Sequence, residues 1–189
     1  MADRERRRRE IADALLRVAG ERGLHAATMR AVATEAGVSL HLVQHYFETK
    51  EQLMLFALQQ LAERMAERVR RRFASVEPRP RDVIEAILTE ALPTDAESRT
   101  FHLVYTSYAV LAATDPALAA HPFMAAPNAM EDFLTAQLGK ARPDVQDLRL
   151  EAVALLAMSS GLGTSVLLGQ RDAEDALSVL RHQLDRLCP

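Results

Sequence analysis

A chain of 189 residues, 49% apolar and 26% charged, can bury a sizeable core in one domain, or in a small domain joined to a larger one, but is too short for a (β/α)8 barrel. A single cysteine, Cys188, excludes an internal disulfide framework and any cysteine-based zinc cluster, and the charged start MADRERRRREIADALL contains no secretory apolar run. The formal charge of −3 hides an uneven spread: residues 1–50 carry nine Lys/Arg against seven Asp/Glu (+2), and the remainder carries fourteen against nineteen (−5).

Aromatic residues make up only 5%, Trp is absent, and Leu and Ala dominate, which favours helices over sheets. The first helix is expected from about residue 4 to Arg22, with Ile11, Ala14, Leu15, Val18 and Ala19 on its apolar face and Gly23 as its stop. Thr28 is a plausible N-cap for a helix over about 28–35, whose buried stripe is Met29, Val32, Ala33 and Ala36. Gly37 ends that helix, Val38 turns inward, and Ser39 caps a third helix over about 39–46. Leu42, Val43 and Phe47 can face back into the core. Two short helices across a tight glycine turn form the helix-turn-helix pattern, in which the second helix enters the DNA major groove. A plain helical corner has the same periodicity.

The remainder reads as helix after helix. A long amphipathic segment over about 50–73 carries Leu53, Phe56, Ala57, Leu61 and Met65. Pro78 and Pro80 break the chain, and a helix with Val83, Ile84, Ile87 and Leu88 stops near Pro93. Residues 94–98 read as polar linker, and a helix over about 99–113 repeats Phe101, Val104, Tyr105, Tyr108 and Leu111. Pro116, Pro122 and Pro127 predict an irregular stretch, followed by a helix over about 128–138 and a loop at GKARPD. Two helices close the chain, over about 145–168 and, preceded by Asp172, through Leu187. Gly161 and Gly163 in the first would bend it or admit a close neighbour. No run of 18 apolar residues is apparent, so no membrane span is expected, and the chain reads as cytoplasmic.

The string from Ile11 to Leu53, IADALLRVAGERGLHAATMRAVATEAGVSLHLVQHYFETKEQL, resembles the tetracycline-repressor (TetR) family of transcription regulators. The matching pieces are the apolar first helix, Gly23, Thr28-Met29-Arg30, Val32-Ala33, Glu35 to Ser39, Tyr46-Phe47 and Lys50 to Leu53. The resemblance implies an all-α chain: a helix-turn-helix DNA-binding head, residues 1–49, on a helical effector-binding and dimerisation body, residues 50–189. It implies phosphate contacts from Thr28, Arg30, Tyr46 and Lys50. Ser39, Leu40, His41, Gln44 and His45 occupy the exposed positions of the recognition helix. A carboxamide such as Gln44 can pair with adenine, and Leu40 can pack on a thymine methyl. The sequence departs from the family at His41, where Gly is common, and at Gln44, where Tyr is common.

The resemblance further implies a homodimer, formed through the last two helices, on a palindromic double-stranded operator, and release by a small molecule. Phe101, His102, Tyr105, Tyr108, Met124, Met130 and Phe133 are the effector candidates. They suit an apolar or amphipathic ligand of unknown identity, and an aromatic stripe at helical spacing is equally a core stripe. No metal and no cofactor is expected: His41 and His45 have ligand spacing, but no third ligand accompanies them. The absence of HExxH, GxGxxG, phosphate-loop and GxSxG patterns argues against an enzyme. An activator or dual regulator of the same fold, or a helical interaction protein that has lost DNA binding, are the alternatives. The Arg6–Arg9 run has two readings, a solvated helix start or a flexible arm for the minor groove.

Overall fold

A computed structural model describes residues 2–121 and 126–188, and the chain is all-α. It divides into two compact units, Met1–Glu63 with Leu103–Ala119, and Arg64–His102 with Ala120–Pro189.

The first unit holds α1 (Ala2–Arg22), a 3-10 turn (Leu24–Ala26), α2 (Met29–Glu35), α3 (Leu40–Tyr46), the start of α4 (Lys50–Arg72), the end of α6 (Ala96–Ala112) and α7 (Pro116–Ala119). Ile11, Ala14, Leu15, Val18 and Ala19 are fully buried, as their spacing on one helical face requires. Val32 and Ala33 of α2, Val43 and Phe47 at α3, and Leu53 and Phe56 of α4 complete this core. Met29 and Ala36 are only half-buried. Burying one such Val, Leu or Phe side chain contributes about 1.5–3 kcal/mol. Arg17 Nε, 2.7 Å from Glu35 Oε1, adds an ion pair between α1 and α2. Tyr108 of α6 is buried in this unit, and that burial pushes its phenol above the usual range.

The second unit contains α5 (Pro80–Glu90), α8 (Ala126–Ala141), α9 (Leu148–Leu167) and α10 (Ala173–Leu187), with the end of α4 and the start of α6. Its core joins Ile84 and Leu88 of α5, Leu134 and Leu138 of α8, Ala152, Leu155 and Leu162 of α9, and Ala176, Leu180 and Leu184 of α10. Arg68 of α4 is ringed by carboxylates: Nε is 2.7 Å from Glu90, Nη2 is 2.5 Å from Asp95 and Nη1 is 3.2 Å from Glu97. The Arg68 guanidinium holds the Asp95 carboxyl down at about 2, whereas burial pushes Glu90 up.

Several boundaries differ from expectation for local reasons. Residues 94–98 are not a linker throughout. Asp95 and Ser98 cap each other reciprocally, Ser98 N–H donating to Asp95 Oδ1 at 2.8 Å and Asp95 N–H to Ser98 Oγ at 3.1 Å, so α6 starts at Ala96. The stretch around Pro116 is not wholly irregular, because Asp115 Oδ1 accepts from Ala117 N–H at 2.9 Å and starts α7. Helix α8 runs on through Gly139 to Ala141. The loop begins only before Pro143, whose ring disfavours helical backbone at Arg142. Leu111, Met130 and Phe133, expected on apolar faces, are exposed at 41%, 37% and 42%.

Helix α9 is long and apolar enough by length and composition to cross a membrane, contrary to the expectation that no segment would be. Its small residues raise hydropathy without forming an obvious apolar run. One face is buried through Ala152, Leu155, Ser159, Leu162 and Gly163, while Leu150 and Val153 are exposed. Of the two glycines in α9, Gly163 admits the close neighbour. A Cβ at 163 would lie 2.3 Å from His102 Cε1, whereas Gly161 has open space around it. Gly163→Ala is therefore expected to destabilise the chain by about 1–3 kcal/mol through overpacking. In a His102→Ala background the penalty should vanish, because Ala is then simply the better helix former. Urea melts of the two singles and the double test this; equal penalties in both backgrounds would refute the contact.

Candidate nucleic-acid interface

Helices α2 and α3 have seven residues each, too short to persist alone, so their ends are held by side chains and turn geometry. Thr28 Oγ1 accepts from Ala31 N–H at 3.1 Å, and Ser39 Oγ accepts from Leu42 N–H at 3.1 Å, as both sequence-assigned caps require. Between the helices, Gly37 has φ +65°. Gly37 N–H donates to Thr34 O at 3.1 Å and Val38 N–H to Ala33 O at 3.0 Å, the paired bonds of a Schellman ending that favours glycine at this position. The turn aims α3 outward, with Val43 and Phe47 as its inward anchors.

The outward positions collect most of the expected contacts. Thr28, Arg30, Ser39, His41, Gln44 and His45 are exposed; Leu40, Tyr46 and Lys50 are half-buried. The His45 and Tyr46 rings meet edge-on, centroids 5.3 Å apart. Lys50, at the first position of α4, donates from Nζ to the Leu24 carbonyl at 3.1 Å. That bond ties the start of α4 to the turn before α2. The carbonyl is neutral, so this bond is not an ion pair. The oxygens of Thr28 and Ser39 are occupied as caps, which leaves their hydroxyl protons to donate.

The Arg6–Arg9 run lies within α1, not in an extended arm. Arg6 pairs with Asp3 and Glu10, Arg7 with Glu10 at 2.5 Å, and Arg9 with Glu5 at 3.7 Å. Arg8 lies over the Phe47 and Phe56 rings, a contact the sequence reading missed because nothing in the local spacing links residue 8 to residues 47 and 56.

The effector candidates are dispersed. Phe101 and Tyr105 are half-buried, Tyr108 is buried, Met130 and Phe133 are exposed on α8, and Met124 lies outside the described residues. His102 is buried against Gly163, its Nε2 3.4 Å from Thr164 Oγ1, with a further hydrogen bond to the Ala91 backbone. Burial pushes its imidazolium below the usual range. Because the unfolded chain then binds the proton more readily, the contribution of His102 to stability is full above about pH 6.5 and is lost as pH falls below it. His102→Gln should flatten that limb of the pH–stability curve. An unchanged slope between pH 7 and 5 in the variant would rule out His102 as its source.

Two short capped helices around a Schellman turn, the second presenting polar side chains to solvent, define a helix-turn-helix DNA-binding regulator. Comparison with known families agrees. Residues 11–56 match bacterial regulatory proteins of the tetR family, and residues 80–189, more than half of the chain, match the C-terminal region of BetI-type transcriptional repressors. The chain belongs to the TetR family of DNA-binding transcription regulators. Among curated relatives, it is 38% identical over 96 residues to the HTH-type transcriptional regulator PksA of Bacillus subtilis. That match spans 51% of this chain and 46%, about half, of the relative. A transcriptional regulator from Rhodococcus sp. Rha1 is 30% identical, with 95% of each chain covered and a TM-score of 0.81. The multidrug binding protein EbrR, solved with imidazole, is also 30% identical, with 97% of this chain and 95% of that one covered and a TM-score of 0.66.

Proposed function

We propose that the chain is a ligand-responsive repressor that binds a palindromic or near-palindromic operator as a homodimer. Residues 1–49 read DNA, and residues 50–189 hold the effector and dimerise. The carrying observation is the exposure of Arg30, His41, Gln44 and His45 together on a capped helix-turn-helix. Gln44 reads a base edge through its carboxamide, with Ser39, Leu40, His41 and His45 beside it on α3. Thr28, Arg30, Tyr46 and Lys50 hold the phosphate backbone. The overall −3 charge does not oppose this, because the local surface meets the phosphates.

The dimer uses α9 and α10. Supporting this, α9 buries one face and leaves Leu150 and Val153 exposed on the other, and Val179 of α10 is exposed as well. The two heads then enter major grooves about one helical turn, ~34–36 Å, apart. The chain works in the cytoplasm, where its operator is.

The effector is a small apolar or amphipathic molecule, drawn to aromatic and methionine side chains of the body such as Phe101, Tyr105, Met130 and Phe133. The relative EbrR, by its description a multidrug binder, supports that ligand class. Tyr108 and His102 shape the surroundings from buried positions. Release requires that the effector prefer the dimer arrangement that does not bind DNA; a few kcal/mol of coupling suffices.

Fluorescence anisotropy on the duplex upstream of the protein's own gene, with excess competitor at several salt concentrations, tests the reading. Binding that survives competitor, at two chains or a multiple per duplex, is the expected result. If duplexes selected from a genomic fragment pool also bind no better than competitor, the chain is a helical interaction protein. On a bound operator, Arg30→Ala should weaken all sequences alike and reduce the salt slope by about 0.9. Gln44→Ala should instead relax preference at one base pair, by about 1–3 kcal/mol, and leave the slope unchanged.

A further inference from the structure

The arginine run at the start of α1 is matched almost entirely within its own helix, by Asp3, Glu5 and Glu10. Arg8 stands apart. Its guanidinium carbon lies 4.2 Å from the centroid of Phe56 and 5.2 Å from that of Phe47. The two rings are tilted against each other, with centroids 5.5 Å apart. Arg8 Nε is buried and has no hydrogen-bond partner, and its nearest carboxylate, Glu5, is 3.7 Å away. A desolvated guanidinium nitrogen without an oxygen acceptor is met by the negative faces of aromatic rings. Phe47 is the residue that ends α3, and its own N–H closes the helix on Val43 O at 2.9 Å. Phe56 lies in α4. Arg8 therefore joins the first turns of α1 to the C-terminal end of the recognition helix and to α4.

We propose that Arg8 is a positioning residue for DNA reading: stacked on Phe47 and Phe56, it sets the end of α3 and neutralises no phosphate. The inference rests on the DNA-reading function proposed above for the same head. The planar guanidinium matters as much as the charge. A lysine ammonium is a compact, strongly hydrated point charge and cannot lie flat across two rings. A phosphate contact would behave in the opposite way, because lysine would keep it.

The test uses the full-length protein and a duplex selected by the wild type from a random pool, against a shuffled duplex of equal length, at a temperature where circular dichroism shows every variant folded. Failure of the wild type to prefer the selected duplex would overturn the DNA-reading function itself, before any variant is made. With that preference in hand, Arg8→Met and Arg8→Lys are each expected to lose about fivefold or more in affinity for the selected duplex. Affinity for the shuffled duplex and the salt slope should stay at wild-type values. A slope lower by about 0.9 in Arg8→Met, with wild-type behaviour in Arg8→Lys, would make Arg8 a phosphate contact and overturn the proposal. Wild-type affinity in both variants, even with a lowered melting temperature, would reduce Arg8 to packing and also overturn it. If Arg8→Met fails to fold, Phe56→Leu removes a ring and keeps the arginine. It should lose the same preference at unchanged slope, and retention of preference would again refute the proposal.

Discussion

A helix of seven residues cannot hold itself together in water, and the helix-turn-helix of this protein is built from two of them. Each leaves four N–H groups unpaired at its start and four carbonyls at its end. Thr28 and Ser39 answer the starts, the Gly37 turn answers the end of α2, and burial of Val32, Ala33, Val43 and Phe47 supplies the driving force. Everything on the outer face depends on this arrangement. His41, Gln44 and His45 point to solvent only because Val43 and Phe47 point inward.

The electrostatics show why bulk charge is a poor guide to partners. Arginine is plentiful in the first fifty residues, yet most of the guanidiniums of α1 face carboxylates three or four positions away. Such exposed pairs contribute little to stability, but they cancel the local field. The partner of Lys50 is by contrast a neutral backbone carbonyl, which offsets no charge. The same logic in the second unit gathers Glu90, Asp95 and Glu97 around Arg68, where burial and ion pairing push two neighbouring carboxyls in opposite directions.

Helix α9 illustrates a different limit, in which apolar composition reaches beyond the buried face. Its residues are apolar or small almost all round, yet the buried Ala152, Leu155, Ser159, Leu162 and Gly163 keep a helical spacing that the sequence shows. What neighbours decide is the detail within that face: Gly163 sits under the His102 ring because only a residue without a side chain leaves room there. His102 accordingly becomes a buried neutral histidine among helices, although the aromatic stripe of α6 placed it with ligand-contact candidates.

Local chemistry in the sequence determined the helical class, the caps Thr28 and Ser39, the Gly37 turn and the core of the first three helices. All of these depend on residues within a turn or two of each other. The exposed set Arg30, His41, Gln44 and His45 was legible through the resemblance to the TetR family, and these residues are exposed in the structure. Tertiary structure alone decided the features that join distant positions: Arg8 over Phe47 and Phe56, Lys50 on the Leu24 carbonyl, Arg68 among Glu90, Asp95 and Glu97, and Gly163 beneath His102. Spacing along the chain carries no information about such contacts. They arise when helices pack, and their partners are chosen by which side chains then share a surface from which water has been excluded.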